Sequence, residues 1–217
     1  MMKLKKESYP GLLITFCGLD GSGKTTMIDF LNAYLVERGY ETVLTKQPTD
    51  AVRQSEIFRT FMENPDNSAY DYRSLSLLAA SDRLQHSNKV ILPALKEGKI
   101  VISDRYFYCC LVNLLARGYE QDQWIYEIGS HIPAPDLPIF LDVDCLTSLR
   151  RIRSRPEEKE RWVDKKFQFR LREEYLNVAE QSDGIIIPST GDDETTWKMI
   201  KPLIDAKLTN QGRGKWP

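Results

Sequence analysis

Eight consecutive residues carry the strongest chemical signal in this chain. Residues 18–25 read GLDGSGKT, which fits the pattern G-x-x-x-x-G-K-[ST]. In such a loop the glycines let the backbone close around phosphate groups, so that amide N–H groups and a helix N-terminus face the anion. We expect Lys24 to reach the β- and γ-phosphates of ATP and Thr25 to bind Mg²⁺. The predicted binding residues are Gly18, Asp20, Gly21, Ser22, Gly23, Lys24, Thr25 and Thr26.

A second group of charged residues follows a predicted strand farther along the chain. The apolar segment 99–103 (KIVIS) runs directly into Asp104 and Arg105. Because parallel strands end at one edge of a sheet, this pair should lie beside the glycine-rich loop. Asp104 is then a candidate for orienting magnesium or its water, and Arg105 for binding phosphate through its planar fork. The alternative is an internal Asp–Arg ion pair without a catalytic role.

A dense run of charge at residues 148–161 includes Arg151, Arg153 and Arg155 at alternate positions. Alternate spacing does not place side chains on one face of a helix, and Pro156 follows, so we predict a loop-like lid. Over a bound polyphosphate, the three arginines would neutralise charge on the migrating phosphoryl group. A solvated charged face is the alternative interpretation.

Two further basic residues are candidates for ligand binding. Lys46 begins a short segment after a predicted strand, where open α/β sheets bind ligands. Arg83 lies in the helical segment 79–86 (AASDRLQH), with small residues one turn before it. We expect Arg83 to contact a base, whereas pairing with Asp82 or with a distant acid is the alternative.

Apolar runs of strand length alternate with helical segments along the chain. This alternation predicts a single doubly wound α/β domain over residues 1–217 with a parallel sheet. The predicted strands are residues 11–17, 41–45, 99–103, 137–143 and 184–188. Residues 54–98 should be mainly helical, with an interruption at 64–67. Further expectations are a loose tail at 211–217 and a buried stretch marked by Leu75, Leu77, Leu78 and Leu84.

Composition and charge narrow the possible functions. The 217 residues carry a formal net charge of −1 and an estimated pI near 6.2, which gives no bulk attraction to nucleic acid or to an anionic membrane. No stretch approaches the roughly 20 apolar residues of a membrane-spanning helix. The four cysteines lack the spacing of a zinc site or a disulfide framework, and the two histidines are interpreted as structural. We therefore expect a cytoplasmic protein whose partner is a small nucleotide.

Taken together, these segments resemble the thymidylate kinases. The resemblance spans nearly the whole chain and rests on the arginine-rich run and on residues 16–26 (FCGLDGSGKTT), 79–86 (AASDRLQH), 102–106 (ISDRY) and 135–143 (PDLPIFLDV). It implies a P-loop nucleoside monophosphate kinase with a five-stranded parallel sheet and an arginine-rich lid. It also implies a homodimer that transfers a phosphoryl group from ATP to dTMP.

The resemblance assigns roles to individual residues. By this comparison Asp20 meets the 3′-hydroxyl of the acceptor sugar, Arg105 its phosphate and Arg83 its base. Lys24 and the lid arginines serve the donor. Lys46 occupies the position of a family arginine, and its ammonium brings positive charge to the acceptor phosphate without the bidentate geometry of a guanidinium.

The departures from the family pattern concern the acceptor. The family's loop after the second strand normally reads Arg-Glu-Pro-Gly-Gly, whereas residues 46–50 read KQPTD. Ala79 replaces a phenylalanine that stacks on thymine, and a stretch with Asn113 and Leu114 replaces a Tyr-Gln pair that faces the nucleotide. Three hypotheses follow: a dTMP kinase, a kinase for another nucleotide or phosphorylated metabolite, and a nucleotide-binding regulator without transfer activity.

Overall fold

The computed structural model describes residues 3–63, 70–159 and 163–210. The strands are β1 (Leu12–Cys17), β2 (Thr42–Lys46), β3 (Ile100–Asp104), β4 (Leu137–Asp142) and β5 (Ile185–Pro188). They form one wholly parallel sheet of five strands in the order β2-β3-β1-β4-β5. The predicted α/β fold with a five-stranded parallel sheet is confirmed, and each strand boundary lies within one residue of its prediction.

Helices cover both faces of this sheet. They are α1 (Lys24–Val36), α2 (Asp50–Arg53), α3 (Glu56–Glu63), α4 (Tyr72–His86), α5 (Leu92–Lys96), α6 (Tyr108–Leu115), α7 (Trp124–Gly129), α8 (Cys145–Arg153), α9 (Lys165–Gln181) and α10 (Asp193–Asn210). A π-helical turn joins α4 to α5, and a 3-10 turn follows α8. Within the described ranges, no helix combines the length and apolarity needed to cross a membrane. The predicted interruption at 64–67, the predicted tail at 211–217 and lid positions 160–161 lie outside the described residues.

Side chains of the central strand point alternately to two separate cores. Leu12, Ile14 and Phe16 of β1 pack with α1 and α10, whereas Leu13 and Cys17 pack with α4, α6 and α9. All five side chains are almost completely buried. A strand that is buried on both faces needs apolar residues at every position, which explains why it reads as one continuous apolar run.

One predicted buried stretch is only partly buried. Leu75 of α4 is 5% exposed, but Leu77 and Leu78 are 47% and 37% exposed. The buried face of this helix contains Ala79 and Arg83, at four-residue intervals from Leu75. Leu77 and Leu78 therefore lie on the other side of α4, and the prediction of their burial is wrong.

The predicted loop-like lid is wrong for Arg151 and Arg153, which lie in the last turn of α8. Leu149 and Ile152 are 5% and 2% exposed, and their packing stabilises the helix through its last residue. Arg155 lies beyond the end of the helix, immediately before the 3-10 turn. The alternate arginines thus begin on a helix whose apolar face determines its length.

Candidate functional site

The glycine-rich loop connects β1 to α1 and adopts a conformation that requires glycine at two of its positions. Gly18 and Gly21 have φ angles of 136° and 76°, which L-residues rarely adopt. A Cβ atom on Gly18 would lie 2.4 Å from the carbonyl oxygen of Leu141, and one on Gly21 would lie 2.7 Å from that of Ser148. The loop therefore depends on glycine both for its backbone angles and for its close packing.

Three consecutive carbonyl oxygens of the loop accept hydrogen bonds from distant side chains. Ser148 Oγ donates to Asp20 O at 2.7 Å, and Ser189 Oγ donates to Ser22 O at 2.8 Å. Between them, Arg151 Nη1 lies 3.3 Å from Gly21 O. The donors come from α8 and from the residue after β5. The loop is therefore held by elements that follow the strands β4 and β5, on one side of β1.

The N-terminus of α1 is available to an anion. Its N-cap residue, Gly23, provides no side-chain hydrogen bond, and therefore no side chain of the cap competes for the first-turn amide N–H groups. Thr25 is exposed on this first turn, and Thr26 is half-buried beside it. The predicted phosphate-binding residues are thus brought together at one helix terminus.

Lys24 is buried against the loop that it follows. Its ammonium donates to Leu19 O at 2.7 Å and to Gly18 O at 3.2 Å. Burial lowers the pKa of Lys24 to about 8, and the charge of Arg105 adds to this effect while Asp20 opposes it. A phosphate group would be a favourable partner, because it would replace neutral carbonyl acceptors by an anion.

Arg105 links the end of β3 to the glycine-rich loop. Its guanidinium forms an ion pair with Asp20 and donates from Nη1 to Tyr175 Oη at 3.3 Å. Its amide donates to Phe16 O at 2.9 Å, and its φ angle of 67° lies in the left-handed region that is rare outside glycine. Such strained residues occur often at functional sites. Arg105 thus forms an ion pair with an aspartate, as the alternative interpretation had it, but the partner is Asp20 of the loop and not the neighbouring Asp104.

Asp104 has different surroundings at its two carboxylate oxygens. Oδ2 lies 3.1 Å from the Lys46 ammonium, whereas Oδ1 is buried without a hydrogen-bond partner among the described residues. This orphaned carboxylate oxygen and the hydroxyl of the exposed Thr25 are hard oxygen donors of the kind that Mg²⁺ prefers. The donor chemistry at these two predicted positions therefore fits magnesium.

The loop after β2 is held at both ends. The Gln47 amide donates to Asp104 O at 3.0 Å, and the Gln47–Pro48 peptide bond is cis. Thr49 donates to the Asp82 carboxylate from its amide, at 2.8 Å, and from its hydroxyl. The loop is therefore tied to β3 on one side and to α4 on the other.

Arg83 lies on the buried face of α4 and is 3% exposed. Nη1 donates to Ala79 O at 3.0 Å, and Nε lies 3.4 Å from Tyr106 O. Pairing with Asp82 was the alternative for this arginine, but the hydrogen bonds of that carboxylate go to Thr49. Ala79 and Arg83 are thus adjacent, and their shared place in a base pocket stays a prediction.

The three lid arginines differ in their surroundings. Besides the glycine-rich loop, Arg151 contacts the segment after β5, with Nη1 2.9 Å from Ser189 O and Nη2 3.2 Å from Gly191 O. Arg153 and Arg155 are exposed. Arg151 therefore serves as a brace beside the predicted phosphate site, while the other two side chains extend towards solvent.

Comparisons with known proteins identify the family of this chain. A model of the family "Thymidylate kinase" matches residues 16–200. A probable thymidylate kinase of Pyrococcus horikoshii is 43% identical over 172 residues, which cover 78% of this chain and 83% of that protein. A probable thymidylate kinase of Thermococcus kodakarensis is 37% identical over 91% of this chain and 98% of its own length. A thymidylate kinase of a Geobacillus species is 37% identical over 82% and 87%, respectively. The chain belongs to the thymidylate kinase family.

Two departures from the thymidylate kinase pattern lie next to each other on α6. Leu114 is completely buried and fills the core. Asn113 accepts a hydrogen bond from Arg117 at 3.2 Å. The Arg117 guanidinium in turn lies 3.8 Å from the ring centroid of Tyr72 and 4.0 Å from that of Phe167. In place of the family's Tyr-Gln pair, this chain therefore has a core leucine and an asparagine that supports a stacked arginine.

Sequence reasoning missed several residues of this chain that help to build the candidate site. Arg53, at the end of α2, donates from Nε to Pro48 O at 2.8 Å. An arginine one turn after a ligand-binding loop is a signal that was present in the sequence. The others lie far along the chain from their partners, and no local pattern marks them: Ser148, Tyr175 and Ser189.

Proposed function

We propose that this chain transfers the γ-phosphoryl group of ATP to a nucleoside monophosphate, with dTMP as the first candidate acceptor. The ion pair between Asp20 and Arg105 carries the proposal. Asp20 belongs to the predicted ATP loop, whereas Arg105 follows the neighbouring strand and is predicted to bind the acceptor. Transfer between two bound nucleotides requires such closeness of donor and acceptor groups. The relatives named above are called thymidylate kinases, which supports dTMP.

The donor side of this proposal uses the glycine-rich loop. Lys24 neutralises the β- and γ-phosphates, and the N-terminus of α1 faces the same anion. Arg151 holds the loop through Gly21 O. The exposed side chains of Arg153 and Arg155 reach over the donor and stabilise charge on the phosphoryl group in flight.

Magnesium is the second cofactor that we propose. The Thr25 hydroxyl and Asp104, directly or through a water, would hold it. When bound, Mg²⁺ would supply positive charge that offsets the negative charge developing during transfer. The contribution of the chain is a hydroxyl on the first helical turn and a carboxylate whose Oδ1 has no other partner within the described residues.

On the acceptor side, Arg105 aligns the phosphate of the nucleoside monophosphate and Asp20 meets its sugar. Arg83 contacts the base, and Lys46 adds positive charge near the phosphate. In the transfer step an acceptor phosphate oxygen forms a bond to the γ-phosphorus, and the bond from that phosphorus to the β,γ-bridging oxygen breaks. The attacking oxygen is already ionised near neutral pH, so the chain needs no strong general base.

The proposal extends to the assembly and the setting of the enzyme. We infer a homodimer from the family resemblance, a cytoplasmic location, and a single kinase domain. We expect a small nucleotide as the partner, and we expect binding neither to nucleic acid nor to a membrane. The near-neutral charge of the chain supports this choice, because binding to a polyanion would require a strong basic patch.

Steady-state kinetics test the proposal. ADP formation from ATP and Mg²⁺ is measured with dTMP, dUMP, dGMP, dCMP and dAMP and with their ribose forms. The highest kcat/KM with dTMP is the expected result. A higher value with another acceptor would assign the departures at residues 46–50 and Ala79 to a changed specificity. ATP binding without transfer to any acceptor would contradict the proposal and favour a nucleotide-binding regulator.

A further inference from the structure

Arg53 lies at the edge of the acceptor site and is not part of the family resemblance. It ends the short helix α2, which begins two residues after the cis-proline Pro48. Its Nε donates to Pro48 O at 2.8 Å, and the side chain is half-buried. This bond fixes the guanidinium against the loop. Among the described residues, its terminal amino groups donate no hydrogen bond, so they can bind a second acceptor.

Arg53 lies among other cations of the site. Burial lowers the pKa of Arg53, the charges of Arg105 and Arg83 lower it further, and Asp104 opposes them. The carboxylates nearby have other partners: Asp20 pairs with Arg105, and Asp104 pairs with Lys46. An additional anion would relieve the repulsion among these three arginines.

The side chain of Gln47, on the same loop as Pro48, provides a second and independent observation. Gln47 is completely buried, and within the described residues neither its amide nitrogen nor its carbonyl oxygen has a hydrogen-bond partner. A buried polar group without a partner is costly, and a bound ligand or water that supplies its hydrogen bonds removes this cost. Gln47 precedes Pro48, the residue that anchors Arg53. The loop therefore carries the unsatisfied polar atoms of Gln47 and, at the next residue, the carbonyl oxygen that holds Arg53.

We propose that Arg53 binds the phosphate group of the acceptor nucleotide and supplies the planar guanidinium that Lys46 does not. Lys46 occupies the place of a family arginine, but its ammonium is bound to Asp104 and its side chain is 56% exposed. A guanidinium presents parallel N–H donors that match two phosphate oxygens, which a lysine cannot do. In this chain the fork comes from α2, one helical turn beyond the loop. The inference rests on the proposed kinase function, because it requires a phosphorylated acceptor.

The test compares Arg53→Gln with Arg59→Gln. Arg59 is an exposed residue of α3 and serves as a matched control for loss of one positive charge. Calorimetry measures binding of dTMP and of thymidine, which lacks the phosphate, and kinetics measure KM for dTMP and for ATP. Loss of a charge-assisted bond should weaken dTMP binding and raise its KM by about 10- to 100-fold in Arg53→Gln. Thymidine affinity and KM for ATP should stay within about twofold of the wild-type values, as should every value for Arg59→Gln.

Two further variants separate charge from geometry and guard against misfolding. Arg53→Lys keeps the charge without the fork and should lose part of the dTMP affinity. The double variant Lys46→Arg, Arg53→Gln restores a guanidinium at the family position and should regain most of the lost dTMP affinity.

Unchanged dTMP binding in Arg53→Gln, or equal losses for dTMP and thymidine, would overturn the inference. An enzyme that binds dTMP through Arg53 but transfers no phosphoryl group would contradict the proposed function and leave this inference standing. A wild-type chain that binds none of the nucleoside monophosphates in the kinetic panel would overturn both.

Discussion

Lys46 and Asp104 face each other at the ends of two neighbouring parallel strands, with the ammonium 3.1 Å from one carboxylate oxygen. The other oxygen of Asp104 is buried and has no hydrogen-bond partner in the part of the chain that the structure describes. One carboxylate thus neutralises a lysine on one side and keeps an acceptor on the other. Asp104 is therefore placed to respond to a cation that arrives with the nucleotide.

The magnesium requirement tests this role of Asp104. In Asp104→Asn the Mg²⁺ concentration for half-maximal activity should rise by about tenfold or more, because a group that holds a metal or its water is lost. Activity is measured at saturating nucleotide over a range of Mg²⁺ concentrations. If the titration curve coincides with that of the wild type and only KM for the acceptor changes, Asp104 is a partner of Lys46 and not a magnesium group.

Lys24→Ala should reduce kcat/KM for ATP by about 100- to 1000-fold, because it removes a positive charge aimed at the transferred phosphates. The ammonium also donates to Gly18 O and Leu19 O, so the melting temperature is measured in parallel. Lys89→Ala, at an exposed position, is the control and should retain wild-type kinetics. A Lys24→Ala enzyme that folds and keeps its activity would contradict the assignment of the glycine-rich loop as the donor site.

Ala79→Phe tests the layout of the base pocket. Ala79 lies one turn before Arg83, whose guanidinium is bonded to its carbonyl oxygen. A phenylalanine there should stack on thymine and raise kcat/KM for dTMP relative to purine nucleotides by about two- to tenfold. Leu77→Phe adds an aromatic ring on the exposed side of the same helix and should have no such effect. An unchanged dTMP rate in a stable Ala79→Phe variant would contradict this placement of the pocket.

Arg151 and Arg153 should behave differently although both belong to the last turn of α8. Arg151→Gln removes hydrogen bonds to Gly21 O, Ser189 O and Gly191 O and should lower the melting temperature by about 2 to 10 °C and raise KM for ATP. Arg153→Gln should leave the melting temperature unchanged but lower kcat, because its exposed side chain is proposed to act on the phosphoryl group. Equal melting temperatures for the two variants would contradict the bracing role of Arg151.

His86 should make folding stability depend on pH. The half-buried imidazole contacts the Thr45 hydroxyl, and burial lowers the pKa of His86, although the charge of Asp82 opposes this shift. Just below the ordinary pKa of histidine, the unfolded chain then binds more protons at this position than the folded chain does. The free energy of unfolding should therefore rise as pH increases through this range and reach its full value above the unfolded pKa.

Chemical denaturation at several pH values between about 5 and 8 measures this effect. His86→Gln should flatten the rise in unfolding free energy, whereas His131→Gln, at the other and exposed histidine, should keep the wild-type slope. Identical slopes in all three proteins would contradict the assignment to His86.

Much of this fold and the donor half of the site are predictable from sequence because their signals are local. Strands buried on both faces read as apolar runs, and the glycine spacing from Gly18 to Gly23 marks a phosphate loop wherever it follows a strand. The prediction of a loop-like lid was wrong because it gave the spacing of charged residues more weight than Leu149 and Ile152, whose burial maintains the helix. Arg53 was missed because its role depends on the path of the preceding loop, which no local pattern specifies.

Three hydrogen bonds to carbonyl oxygens secure the glycine-rich loop, and they make the shape of the motif depend on the rest of the domain. Their donors lie 128, 130 and 167 positions away along the chain, in α8 and just after β5, so the complete set exists only after the last strand of the sheet has been added. The conformational entropy of the loop is therefore lost during folding and not when the nucleotide arrives. An isolated strand-loop-helix peptide with all eight motif residues would remain free to sample other shapes. Affinity for phosphate is thus a collective property of the completed domain, and transplanting the motif alone should not transfer it.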